Sequence, residues 1–138
     1  MTTFLLEIVN YLRDLGIVEG DGVDTYRDFM PDKPDKVVVL YEYAGFGSIR
    51  GAAGVGRSVQ ISVRTLRTDV SWGREKIWEI FNVLDTPDMI IDGREDMPPS
   101  ELWGVFRAIQ TPFRMQIDDA NRWVYTFNLA VITSRELV

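Results

Sequence analysis

Two segments of alternating apolar and polar residues near the C-terminus constrain the fold most strongly. They occupy residues 110–117 and 122–131. The alternating large residues are Phe113, Met115 and Ile117 in the first segment, and Trp123, Tyr125, Phe127, Leu129 and Val131 in the second. Because successive side chains of a strand point to opposite faces, each set predicts one face of a strand. Residues 118–121, Asp-Asp-Ala-Asn, predict a tight turn between them, so the two segments form a hairpin.

The length and composition of the chain favour a single folded domain, residues 1–138, without catalytic chemistry. Its 138 residues, 46% of them hydrophobic, are sufficient for one core without a metal or a disulfide. The sequence contains no cysteine and no histidine. It therefore lacks the thiol nucleophile, the usual general base near neutral pH and the commonest metal ligand. We expect no catalytic residues, no metal site and no cofactor.

The charge of the chain disfavours binding to nucleic acid. The net charge is −6, and the cations are not clustered. An acidic chain repels the phosphate backbone, whereas binding by counterion release needs grouped lysines and arginines. The longest apolar runs are also too short for a membrane span, and we expect no secretory signal at the N-terminus.

The order of the predicted elements indicates the fold class. Helices are predicted at 3–15 and 70–84, and strands at 36–43, 57–66, 102–110, 113–117 and 122–133. A polar connector is predicted at 17–35, and an irregular segment at 86–101 contains a short strand at 89–91. Pro112 cannot donate to a strand ladder, so it marks a bulge or a sheet edge. The sequence therefore predicts an α+β fold, with a mostly antiparallel sheet of four to five strands and two helices packed on one face.

The two predicted helices each carry an apolar stripe. The stripes consist of Leu5, Ile8, Val9, Leu12 and Leu15 in the first helix, and Ile77, Ile80, Phe81 and Leu84 in the second. Thr2 or Thr3 is predicted to cap the first helix and Gly16 to end it; Asp69 or Ser71 is predicted to cap the second. The tryptophans are expected in the core except Trp72, which lies off the stripe and is assigned to an interface.

Residues 51–58, Gly-Ala-Ala-Gly-Val-Gly-Arg-Ser, differ from the phosphate-binding P-loop pattern at one position, where Arg57 replaces lysine. A P-loop also requires a helix N-terminus directly after it, so that amides and dipole converge on the phosphate. The residues that follow alternate like a strand instead. We therefore interpret residues 45–56 as a mobile loop between two hairpin strands, too long for an ordinary turn.

This loop carries apolar residues that have little local core to enter. We assign it to a contact between subunits or to the lumen of a ring, through Phe46, Ile49, Arg50 and Val55. A floppy tip with incidental apolar residues is the open alternative.

Three further sets of residues are candidate sites. The acidic residues between Asp88 and Glu101 lack calcium-loop spacing, and no lysine follows Pro31-Asp32 at nuclease spacing, so a solvated loop is the better interpretation. Five arginines on or beside strands, at positions 57, 64, 107, 114 and 122, either pair with a neighbouring protomer or form ion pairs within one subunit. The sheet edge at Pro112 and Phe113 is the remaining candidate interface.

The order of several stretches resembles a phage structural family. These stretches are residues 22–35 leading into 37–43, residues 57–64, and the closing hairpin with its Gln110-x-Pro112-Phe113 start, acidic turn, Arg122 and Asn-bearing strand. The family is usually labelled minor capsid protein and is similar to the tail terminators and head–tail joining proteins of long-tailed phages. The resemblance spans roughly residues 4 to 133. The positions that match the family pattern are Tyr26, Arg27, Arg57, Arg64, Gln110, Pro112, Phe113, Arg122 and Asn128.

The resemblance implies a virion structural protein made in the host cytoplasm. It implies a ring at the phage neck, hexameric like the tail tube, that terminates the tube and joins tail to head. The implied partners are copies of the chain itself, the tail tube protein and a head-completion or connector protein, with DNA passing through without specific binding. A head-completion ring, a small hydrolase working with carboxylates alone and a monomeric cellular adaptor remain as alternatives.

Overall fold

The computed structural model describes residues 4–48, 54–85 and 104–134, which form one sheet with two helices. The elements are α1 (Phe4–Asp14), β1 (Thr25–Arg27), β2 (Val37–Ser48), β3 (Gly54–Leu66), α2 (Val70–Leu84), β4 (Gly104–Ala108), β5 (Phe113–Ile117) and β6 (Arg122–Ser134). The predicted α+β class is confirmed. The predicted strand at 89–91, the acidic stretch 88–101 and Trp103 lie outside the described residues.

The sheet is mixed rather than antiparallel throughout. Its order is β1-β2-β3-β6-β4, and β5 also pairs with β6. β1 runs parallel to β2, while the other neighbouring strands are antiparallel. The sheet has six strands, so the predicted four to five strands were too few. The strand that sequence reasoning missed is β1, which lies inside the polar connector predicted at residues 17–35.

A glycine turn ends α1, as predicted. Gly16 has a φ of +77°, which a glycine adopts without steric cost. The Ile17 N–H donates to the Leu12 carbonyl at 3.0 Å, and the Gly16 N–H donates to the Arg13 carbonyl at 2.9 Å. These two bonds form a Schellman motif. Leu15 lies in this turn and is 50% exposed, so its predicted place on the buried stripe is wrong.

The bounds predicted for α2 are confirmed, but its predicted cap is not. Asp69 occupies the N-cap position without a side-chain capping bond, and its carboxylate pairs with Lys36 instead. The helix also lies very close to β3. A Cβ atom added at Gly73 would lie 2.5 Å from Thr65 Cγ2, so only glycine fits at this contact.

One face of the sheet packs against both helices. Residues facing the helices from β3 and β6 are fully or largely buried, and the Phe81 and Phe127 rings meet edge to face at 5.4 Å. The core joins both helices to four strands through Phe4, Ile8, Leu12, Val38, Leu40, Val59, Ile61, Val63, Ile77, Ile80, Leu84, Phe106, Phe127, Leu129 and Val131. The predicted placement of two helices on one face agrees with this core.

The predicted loop 45–56 is largely strand. β2 continues to Ser48 and β3 begins at Gly54, with a register irregularity between Tyr43 and Gly47. Phe46 and Val55 therefore lie in paired strands, whereas Ile49 and Arg50 lie outside the described residues. The absence of a P-loop helix was predicted correctly, because Arg57 and Ser58 belong to β3.

The alternation of apolar and polar residues in 57–66 predicts a half-exposed strand, but this prediction is wrong, because β3 is buried on both faces. Ser62 is 1% exposed and Arg64 is 2% exposed, although both lie on the face away from the helices. The segment between β1 and β2 lies against this face, because Arg64 bonds to its backbone.

Candidate assembly surface

β4 and β5 together form a broken strand along one side of β6. β4 pairs with the later part of β6, from Leu129 to Thr133, and β5 pairs with the earlier part, from Trp123 to Thr126. The break contains Pro112, which confirms the prediction that this proline marks a sheet edge. Within the described part of the chain, no strand pairs with the outer side of β5.

A bulge in β5 changes which way its apolar residues point. The register shifts between Arg114 and Gln116, so that Phe113 lies opposite Thr126 and Ile117 lies opposite Trp123. Thr126 and Trp123 project from opposite faces of β6, because they are an odd number of residues apart. The prediction that Phe113 and Ile117 share one face is therefore wrong.

The apolar residues of this edge are exposed rather than buried. Ile109 is 60% exposed, Phe113 and Met115 are each 43% exposed, and Ile117 is 49% exposed. We call these four residues the β5 edge. An exposed apolar strand with one unpaired side invites pairing with another chain unless something covers it. This property makes the β5 edge the strongest candidate for a functional contact.

A shallow aromatic groove lies beside the β5 edge. It measures about 400 Å³ and is lined by Arg74, Trp78, Pro112, Phe113, Arg114, Trp123 and Tyr125. The Arg114 guanidinium lies 4.4 Å from the centre of the Trp123 ring, a cation–π contact. Trp78 is 39% exposed at the rim, so its predicted place in the core is wrong. The groove extends the apolar surface of the edge onto the helix side of the sheet.

Arg64 anchors the segment that covers the other face of the sheet. Its guanidinium donates to the backbone carbonyls of four residues, at distances from 2.6 to 3.2 Å. The four carbonyls belong to Pro31, Asp32, Pro34 and Asp35. Burial, and then repulsion from Arg122, lower the pKa of Arg64. These bonds fix the path of the segment between β1 and β2.

Arg122 anchors the same segment through carboxylates. It pairs with Asp118 at 2.8 Å, with Asp35 at 3.2 Å and with Asp32 at 3.3 Å. Burial opposes ionisation of Asp118, but hydrogen bonds from Arg122 lower the pKa of that carboxyl below its usual value. A hydrogen bond from Lys33 is the main cause of the lowered pKa of Asp35. We call Arg64, Arg122 and their partners the arginine clamp.

The arginines on the strands were predicted either to form ion pairs within one subunit or to pair with a neighbouring protomer. Arg64 and Arg122 form their contacts within one subunit, and Arg57 pairs with Glu42 at 2.7 Å. Trp72 is half-buried against the core, with Lys36 over its ring at 5.2 Å. The assignment of these three arginines and of Trp72 to contacts between subunits stays a prediction. The same holds for Phe46, Val55, Pro112 and Phe113.

Within residues 4–48, 54–85 and 104–134, no three carboxylates come together as metal ligands would. No helix in these ranges is long and apolar enough to cross a membrane.

The exposure of the β5 edge was the feature that sequence reasoning missed. Ile109 and Pro112 beside an alternating strand were the available signal.

Comparison with known proteins identifies a family. The family model described as "Bacteriophage tail terminator protein" matches residues 11–135, which is most of the chain. This match includes β1, the arginine clamp and the β5 edge. No curated protein matched the sequence.

Proposed function

Because the chain belongs to the bacteriophage tail terminator family, we propose that it closes the end of a phage tail tube as a ring of identical subunits. The family is a structural one and not a family of enzymes, so the chain is a structural component of a phage tail and of the virion. The proposal adds the ring, its position at the neck and its role in joining the tail to the head.

The exposed β5 edge is the observation that carries this proposal. Four large apolar residues, from 43% to 60% exposed, lie along one unpaired edge of the sheet. Burying them against a neighbour would remove apolar surface from water at about 25 cal/mol per Å². A monomer with no partner has no evident use for such an edge, which promotes aggregation.

A closed ring places definite demands on this edge. Each subunit must present two different surfaces, and the rotation between neighbours must close. A permanent contact of this kind buries more than about 1,000 Å² with an apolar centre. We propose six subunits, to match the sixfold symmetry that the family resemblance implies for the tail tube.

The two ends of the ring would contact different partners. We propose that one end binds the tail tube protein and the other binds a head-completion or connector protein. The net charge of −6 fits a lumen through which DNA slides without sticking, because carboxylates repel phosphates.

The mass of the purified protein in solution tests the proposal. We expect several copies per particle over a range of concentrations, and annular particles by electron microscopy. A phage that lacks the protein should accumulate tails whose tubes are not closed at the head end. A protein that stays monomeric at all concentrations and is absent from purified tails would contradict the proposal. Accumulation of closed, full-length tails that fail to join heads would instead indicate a head-completion ring.

A further inference from the structure

The opposite edge of the sheet also carries exposed apolar residues. Val23 comes just before β1 and is 55% exposed, and Phe29 follows it and is 61% exposed. The same segment forms an open groove of about 370 Å³, lined by Asp21, Gly22, Tyr26, Arg27 and Asp28. We call Val23, Phe29 and this groove the β1 edge. The sheet therefore has apolar surface at both of its ends.

The two edges carry opposite charges. Residues 19–28 contain four carboxylates and one arginine, a net charge of −3. That arginine, Arg27, already pairs with Asp21 at 2.8 Å. Residues 104–117 contain Arg107 and Arg114 and no carboxylate, a net charge of +2 in a chain that is acidic overall. Neither Arg107 nor Arg114 forms an ion pair with any residue in the described ranges. Such complementarity favours one contact between two chains and disfavours contact between like edges.

The two edges also lie at the same height on the sheet. A row of paired residues runs from Tyr26 through Val39, Ser62 and Thr126 to Phe113. The strand directions make β1 and β5 antiparallel across the sheet. Copies placed side by side in the same orientation would therefore bring an antiparallel pair of edges together without a shift along the strands.

We propose that the β5 edge of one copy docks on the β1 edge of the next copy, so that the sheets of neighbouring subunits lie edge to edge. This inference rests on the proposed ring, and it names the two surfaces of the head-to-tail contact. Extending the register along both chains places Val23 of one copy near Ile117 of its neighbour, and Phe29 near Ile109. Arg107 and Arg114 face the carboxylates that surround β1.

Engineered disulfides test this arrangement, because the natural chain has no cysteine. In the full-length Val23→Cys/Ile117→Cys variant, mild oxidation should give a ladder of covalent oligomers on a non-reducing gel. The two cysteines cannot bridge within one subunit, because they lie on opposite edges of the sheet. Four strand spacings of about 4.8 Å each separate β1 from β5. Each single-cysteine variant should stay uncrosslinked, since a head-to-tail contact never brings two identical positions together.

A mismatched pair provides the control. Ile109 donates its N–H to Asn128, and Ile117 lies opposite Trp123, so the two isoleucines are five β6 residues apart. That separation is about 17 Å along a strand. A disulfide needs Cα atoms within about 7 Å. The Val23→Cys/Ile109→Cys variant should therefore fail to crosslink, whereas Phe29→Cys/Ile109→Cys should succeed.

The outcomes separate this inference from the proposed function. Particles of several copies with crosslinks only in the two matched variants support both. Particles of the same size without these crosslinks, or with crosslinks in the mismatched pair, overturn the edge-to-edge contact and leave the ring intact. Dimers formed by Ile117→Cys alone would indicate a two-fold contact between β5 edges and would also overturn it. A wild-type protein that never associates contradicts the ring and the edge contact together.

Charge reversal provides a second measurement in the wild-type cysteine-free background. Replacing Arg107 and Arg114 with glutamate makes the β5 edge acidic, and the association constant should fall at least tenfold at low salt. The double replacement with lysine keeps the charge and should retain association within a few-fold. An unchanged constant for the glutamate variant would contradict the proposed charge pairing.

Discussion

The strands β3 and β5, which pair with opposite sides of β6, have similar alternating apolar sequences but different surroundings. On one side, β3 places Val59, Ile61 and Val63 in the core, each fully buried. On the other side, β5 leaves Phe113 and Ile117 nearly half exposed. Alternation alone does not decide which strand is buried, because the helices cover one part of the sheet and leave the edge open. Changes at the interior should therefore alter folding, whereas changes at the β5 edge should alter association.

The largest predicted difference is between a core residue and an edge residue. Phe127→Ala removes a fully buried ring that contacts Phe81, and it should lower the free energy of unfolding by about 3–5 kcal/mol. Ile117→Ala should change it by less than about 0.5 kcal/mol, because the side chain is half exposed. Urea denaturation at low protein concentration measures both. Equal losses for the two variants would contradict the distinction.

The arginine clamp should be nearly as sensitive as the core. Arg64→Met leaves buried carbonyls without their donor, and we expect a loss of about 2–3 kcal/mol in unfolding free energy. Arg64→Lys is the matched control, and it should restore little, because a single ammonium cannot reach four carbonyls in the geometry of a guanidinium. Full rescue by lysine would show that charge alone matters here.

A smaller loss is expected where α2 lies close to β3. Gly73→Ala places a methyl group against the buried Thr65 side chain, and it should cost about 1–3 kcal/mol. The double variant Gly73→Ala/Thr65→Gly makes room for that methyl group, because it removes both Thr65 Cγ2 and Thr65 Cβ, which would lie 2.5 and 2.7 Å from it. The loss of unfolding free energy in the double variant should be smaller than the sum of the losses in the two single variants, and a double-mutant cycle measures this difference. Simple additivity would mean that the contact is not strained.

The acid response should distinguish the clamp from the core. The pKa of Asp118 is lowered in the folded chain, so its stabilising contribution is present above its unfolded pKa of about 3.9 and is lost as the pH falls through the lower folded value. Asp118→Asn should be less stable than the wild type near neutral pH, and the two stabilities should converge as the pH falls below about 4. Urea titrations at each pH provide the comparison. A constant gap down to pH 2 would contradict a role for this carboxylate.

Much of the fold was predictable because it is encoded locally. The bounds of α2 follow from its apolar stripe, and Pro112 marks the edge because it cannot donate to a ladder. The errors arose where distant parts of the chain decide the outcome. β1 has only three residues and exists because β2 pairs with it. Arg64 seemed half exposed because its strand alternates, but a segment thirty residues away covers it.

The candidate surface was predictable in position but not in detail. Pro112 and Phe113 located the edge, whereas the bulge at Arg114 that redirects its side chains leaves no clear mark in the sequence. Glycines 45, 47 and 54 suggested a long loop, yet β2 and β3 accommodate them within paired strands. The complementary charge of the β1 edge became visible only after the sheet order was known.

The particle mass of an edge variant tests the central claim most directly. Met115→Lys and Ile117→Lys together place two charges on the β5 edge, and both side chains are exposed in the monomer. We predict that this double variant stays monomeric at concentrations where the wild type forms particles of several copies, with the same unfolding free energy as the dilute wild type within about 0.5 kcal/mol. Particles of wild-type mass from the folded variant would contradict assembly through this edge.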